Sequence, residues 1–251
     1  MSRDINYVLS IAGFDPSGGA GVLADIKTFE SHGVMGFGIN SAETFQNDCE
    51  FEGLVWSPVE RIFRQAELLF KRFPINLVKI GLVEDAALLR EIVDFLKKKN
   101  EQVQIVWDPV IKASAGFLLQ EEPEAFRSVL KDLTLVTPNW NETLALFPEI
   151  SPESFAEFFQ KYQDCPVLVK GGHREEKGTD LLFDHGTRIT IPGNPFDGFE
   201  KHGTGCVLSS AIAANLALGL TLPEACCEGK RYVERLMKSN NTYLGWHRIQ
   251  A

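Results

Sequence analysis

Apolar runs of strand length alternate with segments of helical period along the chain. Residues 7–12 read as a short strand that meets a glycine-rich turn, GFDPSGGAG. Residues 20–32 follow as a helix with Val22, Ile26 and Phe29 on one face. Residues 34–39 read as strand. Ser57 is placed to cap a helix whose apolar positions Val59, Ile62, Phe63, Ala66, Leu69 and Phe70 keep the helical period. Strands at 77–82, 103–107, 133–137 and 167–169 then alternate with helices at 84–99, 123–130 and 152–162. His185-Gly186, between LLFD and TRITI, predicts an antiparallel hairpin. Two helices, at about 204–218 and 223–239, complete the pattern.

Such alternation means crossover connections and a mainly parallel sheet covered on both faces. The expectation is therefore an α/β fold: a single three-layer domain over residues 1–251, with a mainly parallel central sheet and a small antiparallel hairpin. Ligands of such sheets sit at the carboxyl ends of the strands. The polar and glycine-rich segments GFDPSGGAG, ETFQND, Gly81, DPV, TPNWNE and KGGH all follow predicted strands.

Composition narrows the partners. With 44% apolar and 24% charged residues among 251, a sizeable core is available. Lys plus Arg number 25 against 34 Asp plus Glu, a formal charge of -9, which argues against nucleic acid or an anionic membrane as partner. A small phosphorylated ligand is still allowed, because it needs only a local pocket of backbone N–H groups and one or two cations. The opening MSRDINYVLSIAG reads as strand, not as a signal peptide, and no apolar run is long enough to span a bilayer. The five cysteines, Cys49, Cys165, Cys206, Cys226 and Cys227, form no CxxC pair and fit neither a disulfide framework nor a zinc site. A reduced, cytoplasmic compartment is the expectation.

The strongest local motif is His202-Gly203-Thr204-Gly205-Cys206, leading into the small-residue helix VLSSAIAANLALG. Gly203 and Gly205 let the backbone approach a ligand, and the helix start offers unpaired N–H groups and a positive dipole end to an anion. An ordinary glycine-rich helix start explains the stretch equally well. Cys206 falls in the first turn, where the dipole is expected to lower a thiol pKa; it is either a reactive, proton-accepting group or a packed small side chain. In Thr137-Pro138-Asn139-Trp140-Asn141-Glu142, Asn139 and Glu142 share a helical face and would together hold a hydrated magnesium ion. A capping box accounts for them as well. Lys170, beside Gly171-Gly172-His173, suits a phosphate tail or is a solvated lysine in a turn. The segment from Asp15 to Gly21 lacks both the Gly-Lys-Ser/Thr ending of a P-loop and the GxGxxG spacing, so backbone packing around a small molecule is its better account. Asp108-Pro109 either positions a metal or a phosphate-bound water, or ends a strand.

Taken in order, IAGFDPSGGAGVLADIKTFESHG, AETFQND, KIGL, WDPVI, TPNWNE, VLVKGGH and HGTGC resemble the hydroxymethylpyrimidine/phosphomethylpyrimidine kinases of thiamine synthesis, a ribokinase-like group, over residues 5–245. The resemblance implies ATP-dependent phosphorylation of 4-amino-5-hydroxymethyl-2-methylpyrimidine and then of its monophosphate, with ATP and Mg2+ as cofactors and a homodimer as the assembly. It makes Gln46 the reader of the aminopyrimidine edge, a task for which a primary amide offers donor and acceptor in one plane. Asp25, Gly13, Ala20, Thr44 and Leu82 become substrate-pocket residues. Gly203, Thr204 and Gly205 become the anion hole, with Cys206 where related enzymes carry an aspartate base. Lys170 and Asn139 fall on the ATP side, and Glu142 and Asp108 on the magnesium. Leu82 stands where methionine is common in the group, Asp48 where threonine is common, and IKASAGFLL where a longer loop ends in KSGD. Lys112 or the Ser114-Ala115-Gly116 turn is then the expected partner of the second phosphate. Two other readings stand beside this one, a pyridoxine or pyridoxal kinase and a non-catalytic small-molecule-binding protein of the same fold.

Overall fold

A computed structural model describes residues 5–111, 122–151, 154–171, 178–194 and 200–248. Among them nine strands form one sheet in the order β3-β2-β1-β4-β5-β6-β7-β8-β9. The central strands β2 (Met35–Gln46), β1 (Tyr7–Phe14), β4 (Leu77–Ile80), β5 (Gln104–Trp107), β6 (Leu135–Val136) and β7 (Val167–Val169) run parallel. β1, β4, β6 and β7 are buried along nearly their whole length, as strands covered on both faces must be. β8 (Asp180–Asp184) and β9 (Thr187–Ile191) form the expected hairpin on one edge. Its turn residues His185 and Gly186 both take positive φ, 44° and 82°, as a two-residue turn matched to strand twist requires.

Helices cover both faces. On one side α1 (Gly21–Ser31), α7 (Thr204–Ala217) and α8 (Leu222–Met237) pack on the sheet through Ala24, Phe29, Val207, Ala211, Ile212, Ala225 and Val233. α7 is buried without a break from Val207 to Leu216, which its run of small and apolar residues permits. On the other side lie α2 (Val59–Arg72), α3 (Ala86–Lys99), α4 (Arg127–Leu130), α5 (Trp140–Leu146) and α6 (Phe155–Lys161). Asp85 caps α3, its Oδ1 accepting from the Leu88 N–H at 2.7 Å.

Four expectations change. Pro58, not Ser57, is the N-cap residue of α2, and no side chain caps that helix. β2 continues to Gln46, past the expected end at 39, and pairs antiparallel with β3 (Phe51–Trp56), so ETFQ is strand where a loop was expected. The helix expected at 123–130 is a 3-10 turn, Pro123–Phe126, followed by the single turn of α4. β6 shrinks to Leu135–Val136 within the expected 133–137. Among the described residues no helix is long and apolar enough to cross a membrane. The carboxyl ends of the parallel strands and the start of α7 meet at one cavity.

Candidate active site

The cavity has a volume of about 880 Å³. It brings together Gly13, Ala20, Thr44, Gln46, Leu82, Asp108, Asn139, Glu142, Lys170, Gly203, Thr204, Gly205 and Cys206. All of the expected site residues except Asp25 therefore meet on its walls. Lys112 and the 114–116 turn lie outside the described residues.

Two glycine-rich segments form its base. In the first, the buried Asp15 carboxylate accepts the N–H groups of Ser17 and Ala20, both at 2.8 Å, and the Ser17 hydroxyl at 2.9 Å. The His202 Nε2 lies 2.9 Å from Asp15 Oδ2, so the same carboxylate ties this loop to the second segment. Burial alone would raise the Asp15 pKa, but the His202, Ser17 and Ala20 donors outweigh it and hold the group below 3.8. Gly203 begins α7 with φ +75°, and a Cβ there would strike the Gly19 carbonyl, so only glycine lets the two segments touch. No side chain caps α7. Its first helical bond runs from the Val207 N–H to the Gly203 carbonyl at 3.0 Å, and the amides of Thr204, Gly205 and Cys206 precede it. Those amides are the anion-seeking end of a 14-residue helix.

One wall carries a hydroxyl and an amide. The Thr44 hydroxyl donates to the Phe14 carbonyl at 2.8 Å and accepts from Gln46 Nε2 at 2.8 Å. Gln46 thereby has a fixed amide plane, and among the described residues its Oε1 and its second N–H have no hydrogen-bond partner. Gly13 keeps this wall open: a Cβ there would lie 3.1 Å from Leu82 Cδ2 and 3.6 Å from Thr44 Cγ2.

The opposite wall carries charge. Lys170, at the end of β7, donates to Asp108 Oδ1 at 2.8 Å and lies 3.7 Å from Glu142 Oε2. Asp108 also accepts from Thr137 Oγ1 at 2.9 Å. Asn139 and Glu142 form the capping box of α5, each side chain bonding the other's backbone N–H at 2.9 and 2.7 Å. Both still line the cavity, so the cap and the site share residues. Burial opposes the charge on Lys170, yet Asp108 and Glu142 raise its pKa above the ordinary lysine value. Burial would raise Asp108 as well, but Lys170 and Lys79 lower it. Glu142 is raised by burial and by Asp108, with Lys170 opposing.

Two expectations are corrected here. Asp25 does not reach the cavity: it is fully buried behind it, accepting from Ser10, Ser210 and Lys79. The Cys206 pKa is not lowered as the helix start predicts: burial, reinforced by Asp108 and Asp25, pushes it up to about 11. Lys79 and the Gly21 N–H work against that rise without overcoming it. The helix dipole alone was a poor guide at this position, since burial favours the neutral thiol. Lys79 and Asp15 are the residues that reading the motifs missed. A lysine inside the apolar strand LVKI was the available signal for the first. The turn-forming Asp of DPSGG was the signal for the second.

The family model described as phosphomethylpyrimidine kinase matches residues 15–249. A hydroxymethylpyrimidine/phosphomethylpyrimidine kinase of Rhizobium meliloti is 35% identical over 236 residues, 90% of this chain and 88% of that protein. The crystal structure of a phosphomethylpyrimidine kinase from Clostridium difficile superposes with a TM-score of 0.75 at 32% identity, covering 92% of this chain and 98% of that one. A pyridoxal kinase from Staphylococcus aureus, solved in complex with ADP, gives a TM-score of 0.81 at 26% identity, over 97% and 93% of the two chains.

Proposed function

From this chain's membership of the phosphomethylpyrimidine kinase family, we propose that it transfers the γ-phosphoryl group of ATP to the hydroxymethyl oxygen of 4-amino-5-hydroxymethyl-2-methylpyrimidine and then phosphorylates the monophosphate. The observation that carries the reading is the uncapped start of α7, Gly203 to Cys206, opening into the cavity between the Gln46 amide and the Lys170 ammonium. A ring held by Gln46, Thr44 and Leu82 would turn its alcohol toward that helix start. A nucleotide lying along Asn139 and Lys170 would bring its terminal phosphate to the same place.

Phosphoryl transfer has a loose transition state, so positioning and charge neutralisation do most of the work. As the alcohol oxygen bonds to phosphorus, the bond to the bridging oxygen breaks, ADP leaves with the electron pair, and the alcohol's proton is lost late, to a phosphate oxygen or to water. The amides of Thr204, Gly205 and Cys206 face the equatorial oxygens, and Lys170 faces the phosphate chain. With its thiol neutral, Cys206 takes no proton in the resting protein, and its part is to pack beside the reacting centre. No group of three metal-ligating side chains exists among the described residues. Two carboxylates, Asp108 and Glu142, suit magnesium that arrives on the nucleotide and keeps most of its water. There the ion would neutralise phosphate charge. A homodimer belongs to the same proposal, with Phe45 and Val55, both exposed on the β2–β3 pair, as apolar surface available to it.

A pyridoxal kinase is the second reading, favoured by the higher TM-score of the Staphylococcus aureus enzyme. ATP consumption measured with the pyrimidine alcohol, its monophosphate and pyridoxal separates the two. The expected result is turnover of both pyrimidines at kcat/KM values above that of pyridoxal. Turnover of pyridoxal alone would overturn the pyrimidine reading, and no turnover of any of the three would overturn the kinase reading.

A further inference from the structure

The mechanism above leaves Lys79 unused. It sits in β4, a strand whose other residues, Leu77, Val78 and Ile80, are buried and apolar, and it is itself completely buried. Its Nζ donates to both oxygens of Asp25, at 3.0 and 2.9 Å. Asp25 in turn accepts the hydroxyls of Ser10 at 2.5 Å and Ser210 at 2.6 Å. The pair is therefore pinned from β1, α1, β4 and α7 together.

Stability does not account for it. A buried ion pair of this kind is commonly matched or bettered by apolar residues of similar volume, and the surrounding sheet is built of such residues. Its orientation is the informative feature. Lys79 borders the cavity beside Ala12, Gly81 and Cys206, whereas Asp25 lies behind it. Gly81 lets the buried ammonium lie directly beneath the cavity wall: a Cβ there would sit 3.0 Å from Nζ. The pair is thus a fixed dipole with its positive end toward the wall where α7 begins. Ser210, one helical turn beyond Cys206, couples the same network to α7 itself.

We infer that Lys79, held by Asp25, is a positioning residue for the transfer: its ammonium adds positive potential behind the start of α7 and draws the migrating phosphoryl group to that wall. The inference rests on the kinase reading. Lys79 favours the charged form of Cys206 more than Asp25 opposes it, which is the sign expected of a dipole aimed this way.

The test replaces the pair by neutral residues, Lys79→Met with Asp25→Asn, so that no lone charge is left buried. Lys79→Gln with Asp25→Asn serves if the first pair fails to fold. Folding is checked by circular dichroism and thermal melting. The expected kcat for the pyrimidine alcohol falls at least 30-fold or so, while the KM for ATP moves less than about threefold. A second readout needs no substrate: the rate of Cys206 alkylation by iodoacetamide, resolved from the other cysteines by peptide mass spectrometry. Loss of the ammonium should slow alkylation several-fold. A merely structural role would loosen the packing and speed it. Faster alkylation, or a kcat within about threefold of wild type in a folded neutral pair, overturns the inference. If the wild type turns over neither pyrimidine nor pyridoxal, the kinase reading falls, and the alkylation rate still decides the role of Lys79.

Discussion

Two glycine-rich helix starts lie against each other at the base of the cavity, and they are finished differently. At the start of α1 the Ala20 N–H is taken by the Asp15 carboxylate at 2.8 Å, and the Gly21 N–H by the Cys206 sulfur. Neither helix has a side-chain cap, but at the start of α7 no carboxylate takes the place of Asp15, and Gly203 packs on Gly19 instead. The motifs look alike in composition, and both helices have a positive dipole end. What separates them is that the first already holds an anion of its own, Asp15. A glycine-rich helix start is therefore informative about ligands only once the nearest carboxylate has been located. Here that carboxylate sits on one start and leaves the other to the cavity.

The largest effect is expected from blocking the open start. Gly205 has no positive φ, and an added Cβ would meet only the Lys170 Nζ at 3.2 Å and Asp108 Oδ2 at 3.9 Å. Gly205→Val should therefore fold, with a melting temperature close to wild type, and lose on the order of 10²–10³ in kcat as the helix amides are pushed away. Gly203 is the wrong place for this experiment, because its positive φ and the Gly19 carbonyl make any side chain break the junction.

Opening the closed start should act on stability first. Asp15→Asn keeps one acceptor but loses the bonds made by Oδ2, at a cost of about 1–3 kcal/mol by thermal or urea unfolding. The pH dependence gives the sign. A carboxylate held below its ordinary 3.8 contributes stability that is complete above that value and is lost as the pH falls through the folded pKa. The gap between wild type and Asp15→Asn should be full above about pH 4 and close below it. The smallest effect is expected where the two starts touch through sulfur. With the thiol neutral up to about 11, Cys206→Ala should lower kcat by less than about tenfold at pH 7.5, short of what a working general base contributes. A larger loss would give the thiol a chemical role.

Much of this arrangement was legible from residue order. The parallel core followed from apolar runs such as YVLSIA and LVKI, and the His185-Gly186 hairpin from turn chemistry, because both are local properties. β3 and the outer half of β2 escaped because their pattern is inverted there: Thr44 faces the protein interior, whereas Phe45 is exposed. A strand that lines a ligand cavity carries polar or small residues on its inner face, which hides the usual alternation. Asp25 was placed at the substrate although it belongs behind Lys79. Nothing local reveals that residues 54 positions apart form an ion pair. The Cys206 pKa failed for the same reason, since burial and two distant carboxylates decide it.

In the proposed reaction the start of α7 performs the transfer, while the start of α1 holds the structure. Single-turnover phosphorylation of the pyrimidine alcohol, measured per folded molecule in Gly205→Val and Asp15→Asn together, tests it most directly. Gly205→Val should be folded but inactive, and Asp15→Asn less stable yet able to transfer within about tenfold of wild type. A Gly205→Val that transfers at the wild-type rate, or an Asp15→Asn of full stability and no activity, would contradict it.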